Sequence, residues 1–320
     1  MTELTIGLIS EAADTLRGLI LETPLEASPR LSEQLGQPVW MKLESLQITG
    51  SFKARGALFR LSQLTMEEKQ RGIATCSAGN HGKAVAYAAR EMEIPAAVYV
   101  PSTVDEAKYQ GMLALGAEVV RSEFPGFDET QAWALEEIER SGRVFISAFD
   151  DPWIMAANGG TLAMEVAQAA PEARTFLLPV SGGGLSAGFA FFVKETVEGA
   201  SVIGCQHLDS PALALSLERG RAVTHLPPAD TVAGGLEGGI GRLTFPILRD
   251  RIDQVCLASE EELFEAVRWI LDHHQYLVEP SAAVTVAACL SGQVRLAAPA
   301  VVVLSGRNVS LGTIKKILLS

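Results

Sequence analysis

Lys53 is the residue whose type and setting point most directly to chemistry. It lies in Thr49-Gly50-Ser51-Phe52-Lys53-Ala54-Arg55-Gly56-Ala57, after an apolar strand-like run over 39–44 and at the start of an amphipathic stretch. Ala54, Ala57, Leu58 and Leu61 recur at helical spacing on one face, and Ser51 stands where an N-cap belongs. A lysine at a helix start is ordinarily solvated. Its charge there opposes the positive end of the helix dipole, so it does nothing for helix stability. Dipole and partial burial both favour the neutral, nucleophilic amine.

Three further stretches could serve such an amine. Phe176-Leu177-Leu178-Pro179-Val180 runs into Ser181-Gly182-Gly183-Gly184-Leu185-Ser186-Ala187-Gly188 and then an apolar helix. Strand, glycine loop and helix start bind phosphate, because backbone N–H groups and the dipole meet the anion and glycine lets the backbone come close. Gly182-x-Gly184-x-x-Ala187 also satisfies the looser dinucleotide fingerprint, which makes a nicotinamide-dependent oxidoreductase the competing class. That fingerprint asks for an acid at the end of the next strand; Gln206-His207 stand there and Asp209 comes late. A mononucleotide-sized phosphate fits better. Cys76-Ser77-Ala78-Gly79-Asn80-His81-Gly82 is a second strand-to-helix turn, with backbone donors for a carboxylate; by itself it reads only as a helix cap. Val303-Leu304-Ser305-Gly306-Arg307-Asn308 is a third loop after an apolar strand. Ligands of open α/β sheets gather at the carboxyl ends of strands, so these loops and Lys53 describe one site.

The elements that must position them alternate. Apolar runs over 73–77, 96–100, 118–120 and 144–147 read as short buried strands, with helices over 81–92, 106–115 and 128–141 between them. A helix over 4–21 and a short one over 30–35 precede them. A long helix from 152 to about 170 follows, then strands over 175–180, 201–206 and 300–304 with helices over 185–196, 260–274 and 281–290. This is the pattern of parallel βαβ units, and it predicts two α/β lobes.

The composition excludes several classes. The chain has 320 residues, 48% hydrophobic and 20% charged, enough for a large core. A net charge of -12 argues against nucleic acid or an anionic membrane surface as partner and suits a cytoplasmic enzyme. Cys76, Cys205, Cys256 and Cys289 match no metal-ligand spacing and read as free thiols. The first twenty residues lack a basic n-region, and no apolar run is long enough to span a bilayer.

Taken together and in order, the motifs resemble those of the fold-type II pyridoxal-phosphate enzymes, in the branch of threonine/serine dehydratases and serine racemase. Ser51-Phe52-Lys53-Ala54-Arg55-Gly56-Ala57 resembles the cofactor-lysine motif, and Ser77-Ala78-Gly79-Asn80-His81-Gly82 the substrate-carboxylate loop. Ser181-Gly182-Gly183-Gly184-Leu185 resembles the phosphate loop and Ser305-Gly306-Arg307-Asn308 the pyridine-nitrogen loop; Asp150-Asp151-Pro152 and Val278-Glu279-Pro280-Ser281 also match. The resemblance covers nearly the whole chain. It implies two open, twisted, mostly parallel α/β domains with pyridoxal 5'-phosphate between them. The large one would comprise 1–50 plus 149–320 and the small one 51–148, with no regulatory domain after Ser320 and hence no feedback by isoleucine. Lys53 would hold the cofactor as a Schiff base, Phe52 would pack on its ring, and Asn80 would bond its phenolic oxygen. Gly182, Gly183, Gly184 and Leu185 would cradle the phosphate, Gly235 would pass the cofactor edge, and Ser305 would face the ring nitrogen. Ser77, Ala78, Gly79, Asn80 and His81 would bind the substrate. A neutral serine at the ring nitrogen weakens the electron sink, which suits elimination better than a long-lived carbanion. The implied reaction is loss of water from a 3-hydroxy amino acid, giving a 2-oxo acid and ammonia. A homodimer is the expected assembly.

Five departures from the family pattern refine this. Racemases of the branch carry a serine where this chain has Ala78, so no side chain returns a proton from the opposite face and elimination is favoured over racemisation. Serine racemase and its relatives bind a divalent cation through a glutamate where this chain has Gln206, so a divalent cation is not assumed. Ser181 replaces a glycine and is expected to offer the phosphate a hydroxyl. Ala233-Gly234-Gly235 replaces Ala-Asp-Gly and widens the region around the β-substituent, which admits phenylserine, 3-hydroxyaspartate or a hydroxyectoine-pathway intermediate in place of threonine. Asn158 stands where glutamine is frequent.

Overall fold

The computed structural model describes residues 2–320, apart from the side chains of residues 127 and 128. Its strands are β1 (Leu25–Ala27), β2 (Val39–Lys42), β3 (Ile73–Cys76), β4 (Ala96–Val100), β5 (Glu118–Arg121), β6 (Val144–Phe145), β7 (Thr175–Pro179), β8 (Ser201–His207), β9 (Gln254–Ala258) and β10 (Ala300–Val303). They form a six-stranded sheet in the order β1-β2-β10-β7-β8-β9 and a four-stranded sheet in the order β5-β4-β3-β6. Every pairing is parallel except β1 with β2. β3, β4 and β10 are buried along their whole length, as unbroken apolar runs in parallel sheets must be.

One buried cluster draws on both sheets. Ile73 and Ala96 from the smaller sheet, with Ile146 just after β6, pack into the same core as Phe176, Leu178, Val301 and Val303 from the larger, through helix Lys53–Ser62. Burying Leu58, Phe59 and Leu61 there contributes about 2 kcal/mol for each side chain. The first turn of that helix is thereby fixed between the two sheets.

The irregular elements differ from the periodicity. The first helix runs Ile6–Leu16, because the Thr5 hydroxyl caps Leu8 N–H at 3.1 Å and Gly18 turns left-handed at φ 77. The strand expected to reach 44 stops at Lys42, and Glu44–Leu46 form a 3-10 turn. The long helix consists of Pro152–Met155, a π-helical stretch Ala156–Gly160, and Thr161–Ala169. Its widened turn meets helix Gly184–Thr196 so closely that a Cβ on Gly159 would strike the Leu185 carbonyl. Edge strands β1 and β9, and helices Met66–Arg71, Ala212–Arg219, Thr244–Arg249 and Leu311–Leu319, were not marked by periodicity, being short or half exposed. Among the described residues, no helix is long and apolar enough to cross a membrane.

Candidate active site

The turn before Lys53 is stitched to the loop after β10. Phe52 N–H donates to Ser305 O at 3.2 Å, Arg307 N–H to Gly50 O at 2.9 Å, and Asn308 Nδ2 to Thr49 O at 2.8 Å. Ser51 is not the N-cap: its backbone forms a bridge with Gly306, Phe52 ends the turn, and Ser51 Oγ is buried with no partner.

Lys53 Nζ donates to Ala148 O at 2.7 Å and stands 5.1 Å from the centroid of the Phe52 ring. Burial pushes the amine down to about 8, and the charge of Glu279 pulls weakly the other way. His81 feels the same burial and the charge of Lys53, and falls to about 3. Its Nε2 lies 3.2 Å from Ile146 O. A carbonyl only accepts, so Nε2 carries the hydrogen and buried Nδ1 is an acceptor without a partner.

Asn80 is set by a directional chain. Lys83 Nζ donates to Asn308 Oδ1 at 2.9 Å, which turns Asn308 Nδ2 toward Asn80 Oδ1 at 2.6 Å. Asn80 Nδ2 must then donate to Glu279 Oε1, also at 2.6 Å. Glu279 precedes Pro280 at the start of helix Pro280–Leu290, but its carboxyl serves Asn80 instead of capping that helix. Burial raises Glu279 to about 7, with the Asn80 hydrogen bond opposing. A Cβ on Gly306 would lie 2.5 Å from Glu279 Oε1, so only glycine leaves the carboxyl its room.

The glycine loop meets the same centre through Phe149, next to Ala148. Any Cβ on Gly182 would collide with the Phe149 ring, and Gly183 needs φ 93. Gly182 O accepts from Gly241 N–H at 3.1 Å and Thr244 Oγ1 at 2.7 Å. Asp150 in turn accepts the N–H groups of Arg242, Leu243 and Thr244 at 3.0, 2.7 and 3.2 Å. The first N–H groups of helix Gly184–Thr196 are therefore presented by a braced loop. Ser181 does not add to them: its Oγ donates to Glu237 O at 2.7 Å and ties the loop to 231–239. Gly235 N–H is held by Ser281 Oγ at 2.9 Å.

A phosphorylated ring fits this centre. Buried Thr49 Oγ1, Ser51 Oγ and His81 Nδ1 lack partners within the chain, and the glycines leave a cradle that side chains would fill. Comparison with known proteins agrees: the model of the family described as pyridoxal-phosphate dependent enzyme matches residues 16–306. The chain belongs to that family. An L-threonine ammonia-lyase of Geobacter sulfurreducens is 39% identical over 311 residues, covering 96% of this chain and 76% of that one. A second, from Thermotoga maritima, is 35% identical over 316 residues, covering 98% and 78%. The structure of maize serine racemase superposes with a TM-score of 0.93 at 28% identity, over 99% of this chain and 98% of that one. The fold is thus the fold-type II α/β architecture with mostly parallel sheets that the motifs imply. Membership removes the nicotinamide-dependent alternative.

Several contacts around this pyridoxal-phosphate family site escaped sequence reasoning, which named Arg55, Asn158 and Glu279 without giving them partners and did not single out Lys42, Glu44 or Glu165. Arg55 is fully buried, its Nε and Nη2 each 2.8 Å from the Glu44 carboxylate, with Nη1 2.5 Å and Nη2 2.9 Å from Glu165. Lys42 Nζ adds a bond to Glu165 at 2.6 Å. Asn158 Oδ1 accepts Gly56 N–H at 2.8 Å, and a Cβ on Gly56 would meet the Asn158 amide at 2.7 Å. The close approach accounts for glycine at 56; nothing in the structure explains asparagine in place of glutamine at 158. Glu279 stands out only within the matching Val278-Glu279-Pro280-Ser281, with no role attached; Glu165 carries no signal.

Proposed function

We propose that this chain is a pyridoxal-phosphate-dependent ammonia-lyase that eliminates water from a 3-hydroxy amino acid of the threonine or serine type, yielding a 2-oxo acid and ammonia. The observation that carries it is the half-buried Lys53 amine, bonded to Ala148 O beside the Phe149 ring on which the braced glycine loop packs, with its pKa lowered to about 8 by burial. L-threonine ammonia-lyases among the relatives support it.

In this reading Lys53 would carry the cofactor, Gly182, Gly183, Gly184 and Leu185 would hold its phosphate, Phe52 would pack on its ring and Gly235 would pass its edge. Asn80 would serve the phenolic oxygen and Ser305 the ring nitrogen. When bound, pyridoxal 5'-phosphate supplies the electron sink for the α-carbon. The backbone of Ser77, Ala78, Gly79, Asn80 and His81 holds the substrate carboxylate, which orients the α-hydrogen toward Lys53. The neutral Lys53 amine takes that proton on Nζ, where Ala148 O accepts one N–H and leaves the lone pair free. The β-hydroxyl departs as water with the proton that Lys53 took from the α-carbon, and water is taken up again as ammonia is released. Ala78 packs toward Val98 and Met112 and offers no exchangeable hydrogen, which supports elimination over racemisation.

The bulkier substrates remain a second reading, favoured by one feature: Gly234 and Gly235 are exposed where a larger β-substituent would pass. The layout of two sheets supports lobes of 1–50 plus 149–320 and 51–148. The assembly is proposed as a homodimer in the cytoplasm, without nucleic-acid or membrane partners. The test is to incubate holoenzyme with L- and D-3-hydroxy amino acids and score 2-oxo acid against inverted substrate. Inversion without elimination would overturn the reading. Borohydride reduction followed by peptide mapping should find the cofactor on Lys53; covalent cofactor retained by Lys53→Ala would refute that assignment.

A further inference from the structure

Gln206, at the end of β8, is fully buried, and its amide is engaged on both sides. Oε1 accepts from Leu213 N–H at 3.0 Å and Ala214 N–H at 3.1 Å, in the first turn of helix Ala212–Arg219. Nε2 donates to Val180 O at 3.4 Å. Val180 directly precedes the glycine loop, so one side chain ties the phosphate-loop strand, its neighbouring strand and the helix that follows.

A glutamate at this position would meet a different problem. One carboxylate oxygen could keep the two N–H bonds, but the other would face the Val180 carbonyl with no hydrogen between two acceptors. Such a pair needs a proton or a cation to bridge it. The Gln206 amide brings the hydrogen itself. Its single oxygen is already taken by two N–H groups at the positive end of a helix, which oppose a cation. Buried Ser210 Oγ nearby in the chain has no partner, but it is neutral and brings no charge for a dication. Among the described residues, no group of three or more His, Cys, Asp or Glu is placed to hold a metal.

We propose that the Gln206 amide does the bridging that a glutamate–cation pair does in the racemase-like relatives, so that this protein neither binds nor needs a divalent cation there. Conversely, Gln206→Glu creates a requirement for a proton or a cation at that place.

The experiment measures the thermal midpoint of holoenzyme dialysed against EDTA, then with Mg2+, Ca2+ or Mn2+ restored, beside Mn2+ uptake by equilibrium dialysis. For the natural chain the expected results are an unchanged midpoint and no stoichiometric Mn2+. A midpoint that falls on chelation and returns with a cation overturns the proposal. Gln206→Glu in EDTA at pH 8 should melt lower by ~5 °C and recover at pH 6 or with added cation. A variant that melts like the natural chain in EDTA at pH 8 overturns the bridging role. If the variant does not fold, the two measurements on the natural chain still decide the matter.

Discussion

Lys53 and Arg55 share one helical turn, the first half-buried and the second fully buried, yet the protein treats their charges in opposite ways. Burial works against the Arg55 cation, but Glu44 and Glu165 outweigh it and raise its pKa further. Burial likewise works against the Glu44 anion, and Arg55 overcomes it and holds the carboxyl below its ordinary value. With Lys42 beside Glu165, two cations face two carboxylates. Lys53 receives only a neutral carbonyl at Ala148 and the more remote, burial-raised Glu279. Burial alone lowers an amine's pKa and eases loss of its proton; burial with a fork of carboxylates locks a charge in place.

The most severe way to break the comparison is to remove the reacting group. Lys53→Ala should reduce turnover by about 10^4-fold or more while its thermal midpoint stays near that of the apoprotein. A rate within tenfold of the natural enzyme would contradict the role given to Lys53.

Breaking the locked region should do the reverse. Glu44→Gln leaves Arg55 without half its fork and should cost about 3–5 kcal/mol of stability, read by denaturant unfolding. The folded fraction should keep its cofactor absorbance. Loss of the absorbance without loss of stability would mean that the two regions are not separable.

A gentler probe is pH. In the apoprotein Lys53 sits at about 8, against an ordinary 10.5, so between these values the unfolded chain binds the extra proton. Apoprotein stability should therefore rise with pH across 8–10.5, and Lys53→Met should flatten that slope. Glu279 runs oppositely: it is raised from 4.5 to about 7, so its contribution falls as pH rises through 4.5–7. Arg55 gives no slope in either window.

The smallest effect is expected at Glu279→Gln. The amide oxygen keeps the Asn80 bond but removes the one charge that favours protonated Lys53. Uptake of pyridoxal 5'-phosphate by the apoprotein, which needs the neutral amine, should then reach its plateau at a lower pH than in the natural chain. A shift to higher pH would show that Glu279 acts on Lys53 by another route.

Much of this was legible in the chain because it is local. Apolar runs specify buried parallel strands, glycine runs after strands specify phosphate loops, and the order of Lys53, Asn80, Gly182–Gly184 and Ser305 specifies the family. The strands that escaped, β1 and β9, lie at sheet edges, where half of each strand sees solvent and the apolar signal fades. Ser51 misled for a related reason. Capping is a local rule, and the bridge to Gly306 is a contact between residues distant in the chain. Ser181 misled likewise, since its hydroxyl is claimed by Glu237.

The sequence by itself determined which side chains can react and what kind of cofactor they suit, because residue type and spacing along a strand-loop-helix unit set which atoms are offered. Tertiary structure decided their charge. Glu44, Glu165 and Lys42 reach Arg55 from other elements, and Ala148 and Glu279 are what reach Lys53. A pKa depends on what surrounds a group in space, and only the packed sheets bring those surroundings together.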